Sequence, residues 1–300
     1  MHKPSSRDIL AGSGLAILAT LIWSGNFIVA KAVTREIPPI ALSFYRWTCA
    51  TLILLPFAWR GFRNSLSQIG RSWAYLLLIS LMGISLFNTF IYVGAHYTSA
   101  INLALIGTTS SPIMSVILAR IFLKERIGLP KTIGILLCVA GVLFLLSKGE
   151  ISNLLSLEFT EGDLWVLLAA FCFAVYNVMA RRKPSGIRPV PFLFIIFLAG
   201  SLFLTPAFIW EAGRYPPVSW NGQLILSVLY LGLGASVICY LIWNEAIQKL
   251  GAGRTALFGN LIPVFSSLEA VIFLHEGFSN THIISMVLVF AGIIIANFKH

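Results

Sequence analysis

The sequence predicts an all-α integral membrane protein, with ten transmembrane helices arranged as two inverted-topology repeats of five helices. Three observations carry this prediction: the composition, the lengths of the apolar stretches and an internal repeat. Apolar residues make up 58% of the 300 residues and charged residues only 11%, against about 25% in an ordinary soluble domain. Too few polar side chains remain to cover a water-soluble globule of this size.

Ten apolar stretches are long enough to cross a bilayer, since a transmembrane helix needs about 20 such residues. The stretches are unbroken and do not alternate with polar residues, which excludes an outer-membrane β-barrel. We call them spans 1 to 10 in chain order. They cover 11–31, 40–59, 72–95, 99–122, 130–147, 162–181, 190–210, 221–245, 254–274 and 282–298.

The distribution of basic residues predicts the orientation of these spans. Of the 21 Lys and Arg residues, sixteen lie on the side that holds both chain termini, four lie on the other side, and Arg46 lies inside span 2. Cytoplasmic loops of membrane proteins carry such an excess. We therefore expect both termini to be cytoplasmic. The net charge of +10 is then explained by the lipid bilayer, without a nucleic-acid partner.

The chain also contains an internal repeat at a constant offset of 151 residues. The blocks PIMSVILARIFLKE at 112–125 and PVFSSLEAVIFLHE at 263–276 are identical at seven of 14 positions. Other matches at the same offset are Asn26 with Asn177, Gly83 with Gly234, Ser85 with Ser236, and Gly141 with Gly292. We therefore predict a first five-helix repeat over 11–147, a connecting loop over 148–161 and a second repeat over 162–298.

Five helices per repeat is an odd number, so the second copy enters the membrane in the opposite orientation. Inverted repeats of this kind are characteristic of secondary transporters, in which two related halves move around a site near the bilayer midplane. The repeat therefore predicts transport by alternating access.

Two blocks of the sequence resemble the second half of an EamA-type repeat. They are SAINLALIGTTSSPIMSVILARIFLKERIGLPKTIGILLCVAGVLFL and GAGRTALFGNLIPVFSSLEAVIFLHEGFSNTHIISMVLVFAGIIIANF. WSGNF at 23–27 and FYRW at 44–47 are also typical. The chain thus resembles the ten-helix, two-repeat EamA-type transporters of the drug/metabolite transporter (DMT) superfamily. The resemblance implies transport of small metabolites, frequently the export of amino acids, but does not select the substrate.

From the repeat and the resemblance together we expect a secondary active transporter that exports an amino acid or a related metabolite. Sugars, nucleotide derivatives and organic cations or drugs are the alternative substrates, and a channel or membrane receptor is the alternative class. We expect a multi-pass protein of the bacterial cytoplasmic (inner) membrane.

No sequence motif indicates an enzyme. The HEGFS sequence at 275–279 lacks the second His of a HExxH zinc site, and no nucleophile elbow or phosphate-binding loop is present. The four cysteines lie far apart within apolar stretches, without metal-ligand spacing. We expect no catalysis, no cofactor and no metal.

Two charged residues, Arg46 and Glu269, lie well inside spans 2 and 9. A charge at membrane depth costs at least about 3 kcal/mol, so such residues normally have a partner or a function. Both lie about 8–9 Å below the outer boundary at ~1.5 Å per residue. The matched positions in the other repeat are Phe197 and Leu118, so both charges break the symmetry on the same side.

Our hypothesis is that Arg46 binds a substrate carboxylate and that Glu269 binds an ammonium group or a proton, which allows proton coupling. Two structural alternatives remain open: an ion pair between the two residues, or Arg46 bound to free backbone carbonyls.

Aromatic and amide side chains near these charges are further candidates for substrate contact, because they suit a ligand with an apolar body and a polar head. The alternatives are interfacial aromatic residues and Asn bridges between helices. The candidates are Trp23, Asn26, Asn88 and Tyr92 on the outer half, and Tyr176, Asn177, Trp243 and Asn244 on the inner half.

Pro112 and Pro263 lie at matched positions in spans 4 and 9 and predict helix breaks that line the path or act as gating hinges. A simple packing kink is the alternative. Glu125 and Glu276 also match, at helix ends, and we expect them to cap the helix that follows each of them.

Overall fold

The computed structural model describes residues 5–33, 36–98, 100–156, 158–274 and 279–298, and its secondary structure there is helical, without strands. Glu276, one of the two expected capping residues, lies outside this described part, as does most of the HEGFS sequence. The prediction of an all-α protein is confirmed for the residues described.

The first half of the chain contains seven α-helices and one π-helical segment, followed by a short helix in the connecting loop. The helices are α1 Ser6–Val33, α2 Pro39–Asn64, α3 Leu66–Arg71, α4 Trp73–Ser80, α5 Phe87–Tyr97, α6 Ala100–Leu123, α7 Leu129–Leu146 and α8 Ile151–Leu155, with the segment π1 Leu81–Leu86 joining α4 to α5.

The second half repeats this order with one additional break. Its helices are α9 Glu161–Arg181, α10 Pro189–Ala212, α11 Gly222–Leu229, α12 Cys239–Leu250, α13 Ala252–Leu257, α14 Leu261–Leu274 and α15 Asn280–Phe298. The segment π2 Tyr230–Ile238 joins α11 to α12, and the 3₁₀ turn Phe258–Asn260 joins α13 to α14.

Nine helical stretches of the described residues are long and apolar enough to cross a membrane. They correspond to spans 1 to 8 and span 10. Span 9 is divided by the 3₁₀ turn into α13 and the 14-residue α14, so it does not form one long helix. The count of ten transmembrane helices therefore stays a prediction.

Of the two matched prolines, only Pro263 lies next to a helix break. α6 is one continuous helix through Pro112. The break in span 9 ends at Asn260, so that Pro263 lies in the first turn of α14. A proline in a first turn loses no hydrogen bond, because its missing N–H has no intrahelical partner there. The expected break at Pro112 is thus wrong at the level of the backbone.

The irregular backbone instead lies in spans 3 and 8, at matched positions of the repeat. Residues 81–86 of π1 correspond to 232–237, which lie within π2. π-Helical turns inside α-helices are rare and frequently occur at functional sites, because they redirect carbonyls and side chains.

The long helices pack as two bundles connected by two helix pairs. Bundle A consists of span 3, α6 and α9. Bundle B is the equivalent set in the repeat, span 8, α1 and α13–α14, of which α13 packs mainly against α6 and α9. The helices of bundle A correspond to those of bundle B at the 151-residue offset. α2 packs along α10, and α7 along α15, so each of these pairs joins equivalent helices of the two repeats.

The α7–α15 pair depends on close backbone contact at two glycines. A Cβ atom on Gly134 would lie 2.4 Å from the carbonyl oxygen of Gly292, and one on Gly292 would lie 2.6 Å from the carbonyl oxygen of Gly134. Small residues at such crossings let transmembrane helices approach each other closely. Neither neighbour is a flexible side chain, so one of the two helices would have to shift.

We therefore expect Gly134→Ala to destabilise the protein by about 1–3 kcal/mol, the usual cost of overpacking. Gly14→Ala is the matched control, because a Cβ there meets no atom within 4 Å, and we expect it to be neutral or slightly stabilising. Thermal denaturation in detergent measures both. Equal midpoints for the two variants would contradict a tight α7–α15 crossing.

Candidate functional site

Arg46 is buried at the centre of a polar network and is 1% exposed. α2 carries it between the two bundles. Its Nη1 donates to Asn26 Oδ1, Asn88 Oδ1 and Tyr92 Oη, each at 2.9 Å. The prediction had placed these three residues near the same depth, and the structure brings them onto one guanidinium group.

Two groups of π2 complete this network. Arg46 Nε donates to Ser236 Oγ at 2.7 Å, and Nη2 donates to the carbonyl oxygen of Ala235 at 3.0 Å. Trp23 Nε1 donates to the same carbonyl at 2.8 Å. Ala235 therefore accepts two side-chain hydrogen bonds, which fits a carbonyl redirected by π-helical geometry.

Arg46 and Glu269 are not ion-paired in this conformation. In the described part of the chain no carboxylate lies within 4.0 Å of a nitrogen of Arg46. The guanidinium is held by neutral acceptors and lies 4.9 Å from the centroid of the Trp47 ring. Of the two structural alternatives, the ion pair between Arg46 and Glu269 is absent from this conformation of the described residues. The hydrogen bond from Arg46 to a backbone carbonyl, that of Ala235, is present.

Glu269 lies on α14, against α1. Its Oε1 is 2.6 Å from Ser24 Oγ, while its Oε2 is shielded from solvent and has no hydrogen-bond partner among the described residues. This free oxygen lies 4.0 Å from the position of a Cβ on Gly25. The Tyr230 hydroxyl donates to the carbonyl oxygen of Ile22 at 2.6 Å and lies beside the same glycine, 2.5 Å from the position of its Cβ.

Ser24 has one hydroxyl proton and two possible acceptors. Besides Glu269 Oε1 at 2.6 Å, the carbonyl oxygen of Leu21 lies 2.5 Å from Ser24 Oγ. If Ser24 donates to Leu21, as is usual for serine in membrane helices, the Glu269 contact requires a proton on the carboxyl group. The contact therefore fits either an ionised Glu269 that accepts from Ser24 or a protonated Glu269 that donates to it.

The inner candidates form two separate pairs. Tyr176 Oη donates to Asn244 Oδ1 at 2.8 Å, and Trp243 Nε1 donates to Asn177 Oδ1 at 2.8 Å. Asn244 Nδ2 is buried without a hydrogen-bond partner. Each pair joins bundle A to bundle B.

An aromatic cluster separates these pairs from the Arg46 network. The Trp23 ring lies 4.9 Å from that of Trp243, 5.8 Å from Phe173 and 5.9 Å from Tyr240. Tyr240 Oη donates to the carbonyl oxygen of Gly83 in π1 at 2.9 Å. Apolar faces with polar edges thus form a continuous layer across the middle of the bundle.

Both π segments meet this layer. A Cβ on Gly83 would lie 2.1 Å from the Tyr176 ring, so only glycine lets π1 approach so closely. Pro112 and Pro263 lie outside both networks, and no hydrogen bond assigns them a gating role, which stays a prediction. A cavity of about 280 Å³ is also remote from Arg46, since apolar residues of α1, α14 and α15 line it.

Sequence analysis missed four residues of this site: Ser24, Tyr230, Ala235 and Ser236. Ser236 matches Ser85 in the repeat, and Ser24 lies within the WSGNF sequence, so both had a usable signal. Ala235 acts through its backbone carbonyl, which its residue type does not reveal. Tyr230 has no equivalent tyrosine in the first repeat, so no sequence signal marked either residue.

Comparison with known proteins assigns the family. The EamA-like transporter family matches the chain twice, over residues 10–147 and 160–298. An uncharacterized transporter of Archaeoglobus fulgidus is 29% identical over 87% of this chain and 89% of its own length. The uncharacterized transporter YyaM of Bacillus subtilis is 30% identical over 85% of this chain and 83% of its own.

More distant similarities agree. The chloroplastic WAT1-related protein At3g02690 of Arabidopsis thaliana is 27% identical over 92% of this chain and 67% of its own length. A solved crystal structure, 20% identical, superposes with a TM-score of 0.73 over 95% of this chain and 96% of its own, which shows a shared fold.

Arg46 makes a testable contribution to stability. Its replacement by Met would leave several buried acceptors unpaired, at about 1–3 kcal/mol each. We expect Arg46→Met to lower the midpoint of thermal denaturation strongly. Arg214→Met is the matched control, because Arg214 is exposed and stacks on Trp210 at 3.7 Å. Equal stability of the two variants would show that the network does not hold the bundles together.

With two repeats matched along nearly its whole length and the shared all-α fold, the chain belongs to the EamA-like transporter family and is a multi-pass membrane protein.

Proposed function

We propose that this protein is a secondary carrier, not an enzyme, that exports an amino acid or a related metabolite by alternating access. It would lie in the bacterial cytoplasmic membrane, with both termini cytoplasmic. The substrate class rests on one observation about the described residues. The buried guanidinium of Arg46 has no carboxylate partner among them, and one carboxyl oxygen of Glu269 has no hydrogen-bond partner among them. A zwitterion supplies the complementary charge to both groups.

The carboxylate of the substrate would bind Arg46. The guanidinium keeps its charge in every environment, and its fork of donors matches the two oxygens of a carboxylate. Asn26, Asn88 and Tyr92 now occupy these donors through neutral acceptors. A carboxylate offers two anionic oxygens in place of neutral acceptors and can bind the guanidinium in a bidentate pair, so it competes well for these donors.

The ammonium group of the substrate would bind Glu269. Its Oε2 has no hydrogen-bond partner among the residues that the structure describes, and the Tyr230 hydroxyl lies beside it, close to the position that a Cβ of Gly25 would take. The aromatic layer beside Trp23 would contact the apolar side chain of the substrate. Sugars, nucleotide derivatives and organic cations supply this combination of charges less well, and they are the next candidates to test.

Counterflow in proteoliposomes tests the substrate class. We expect liposomes preloaded with one unlabelled amino acid to accumulate the same labelled amino acid with saturable kinetics. Arg46→Lys should reduce this uptake at least about tenfold, because an ammonium group cannot replace a bidentate fork. Arg214→Ala should transport normally.

The variant Glu269→Gln tests recognition of the substrate's ammonium group separately from recognition of its carboxylate. In this variant we expect the preference for an amino acid over its ammonium-free hydroxy-acid analogue to disappear. No counterflow with any of the twenty amino acids would reject the substrate class, and a conductance without saturation would favour a channel.

Glu269 is also the residue we propose for proton coupling, on the basis of its contact with Ser24. An ammonium group that approaches the carboxyl group would displace its proton, and rebinding of the proton would release the substrate. We expect amino-acid efflux from liposomes that contain a pH-sensitive dye to be accompanied by proton influx. Glu269→Gln should uncouple the two fluxes. Proton influx of unchanged size in this variant would exclude Glu269 as the proton carrier.

A further inference from the structure

Glu125 does not cap the helix that follows it, as the sequence analysis expected. α7 begins after Gly128 and has no side-chain cap. The Glu125 carboxylate instead accepts hydrogen bonds from the backbone N–H groups of Ala252 at 3.0 Å and Gly253 at 3.3 Å, at the start of α13 in the other repeat. The expectation failed because the partner lies 127 residues away in the chain.

This contact joins bundle A to bundle B. The backbone N–H of Glu125 donates to the carbonyl oxygen of Ala119 in α6, at 3.2 Å, so the residue is fixed to bundle A. Its carboxylate binds α13, in bundle B. The contact lies at the end of the molecule where α1 begins, which we call the inner end and propose to be cytoplasmic.

The chain around Glu125 is adapted to this contact. Gly251 has φ +94°, which other residues rarely adopt, and a Cβ there would lie 2.8 Å from Glu125 Oε1. A Cβ on Gly253 would lie 3.0 Å from Glu125 Oε2. The buried Lys131 Nζ lies 3.4 Å from the same oxygen. Two glycines and one cation thus accommodate a single carboxylate.

Other contacts between the bundles at the inner end use carbonyl acceptors. Arg181 donates to the carbonyl oxygens of Ile247, at 3.0 Å, and Gln248. Gln248 Nε2 donates to the carbonyl oxygen of Ala180 at 2.7 Å. The inner end is therefore closed in this conformation, and Glu125 contributes the charged contact that tethers α13.

We propose that Glu125 is the gating residue of the inner end: its carboxylate holds α13 against α6 while that end is closed and releases α13 when it opens. This inference rests on the proposed alternating-access mechanism, because a protein that never opens inward needs no releasable contact. A carboxylate bound to backbone N–H groups suits this role, since water can replace each bond when the bundles separate.

Thiol accessibility tests the proposal. Ala256 lies on α13 and is 3% exposed, so the substitution Ala256→Cys reports opening of the inner end. The readout is the labelling rate of this variant with a membrane-impermeant maleimide in nanodiscs, after subtraction of the rate for the four native cysteines. Loss of charged hydrogen bonds should raise this rate about tenfold or more in Glu125→Ala. Glu125→Gln, which keeps one acceptor oxygen and the side-chain volume, should give a smaller increase.

Two controls separate opening from general loosening. Glu245→Gln removes a carboxylate at the same end whose ion pair, within the described part of the chain, is with Lys249 on its own helix, and it should not change labelling. A second reporter, Ala169→Cys, lies fully buried on α9 towards the other end and should stay unlabelled.

The proposal is overturned if folded Glu125→Ala and Glu125→Gln proteins label at the parent rate, or if both reporters become labelled equally. Should Glu125→Ala fail to fold, Glu125→Gln alone decides between these results. Faster labelling of the Ala256→Cys reporter without amino-acid counterflow in the parent protein would support the gate and reject only the proposed substrate.

Discussion

The burial of one guanidinium group among neutral partners is the constraint on which the centre of this protein depends. The interior of a membrane offers no water to solvate the donors of Arg46, so protein groups must satisfy them. These accepting groups belong to α1, α5 and π2, while α2 carries the arginine itself. Four spans therefore have to meet at one point, and both bundles contribute to that point.

The π segments make this convergence possible. A regular α-helix through span 8 would keep its carbonyls within the helix, whereas π2 directs the Ala235 carbonyl to Trp23 and Arg46. In the other repeat, π1 presents the Gly83 carbonyl to Tyr240. The same backbone irregularity thus occurs in both repeats. The Gly83 carbonyl of π1 binds the other bundle, whereas the Ala235 carbonyl of π2 binds α1 of its own bundle and the arginine of α2. The position of this irregularity next to the aromatic layer places a deformable part of each bundle beside the candidate substrate site.

Much of this arrangement can be predicted from the sequence, and the features that could not be predicted have identifiable physical reasons. Hydropathy places the spans, because a bilayer imposes both length and composition on a helix. The candidates Asn26, Asn88 and Tyr92 are predictable because polar groups at membrane depth need hydrogen-bond partners, and the guanidinium of Arg46 supplies donors at the same depth. The π segments carry no propensity signal, since their residues are ordinary helix formers. The proline of span 4 did not predict a helix break, because Pro112 is accommodated within the continuous helix α6. The partner of Glu125 depends on how the two repeats pack, which no local pattern contains.

The two repeats share the order of their helices but differ in their buried charges, because Arg46 and Glu269 correspond to Phe197 and Leu118. In a perfectly symmetric inverted repeat, the inward-open and outward-open states would be related by exchange of the halves and would have equal energies. Two unmatched charged groups remove that degeneracy. Under the alternating access proposed above, these two side chains would give the empty carrier a preferred resting orientation before any substrate or ion gradient acts on it.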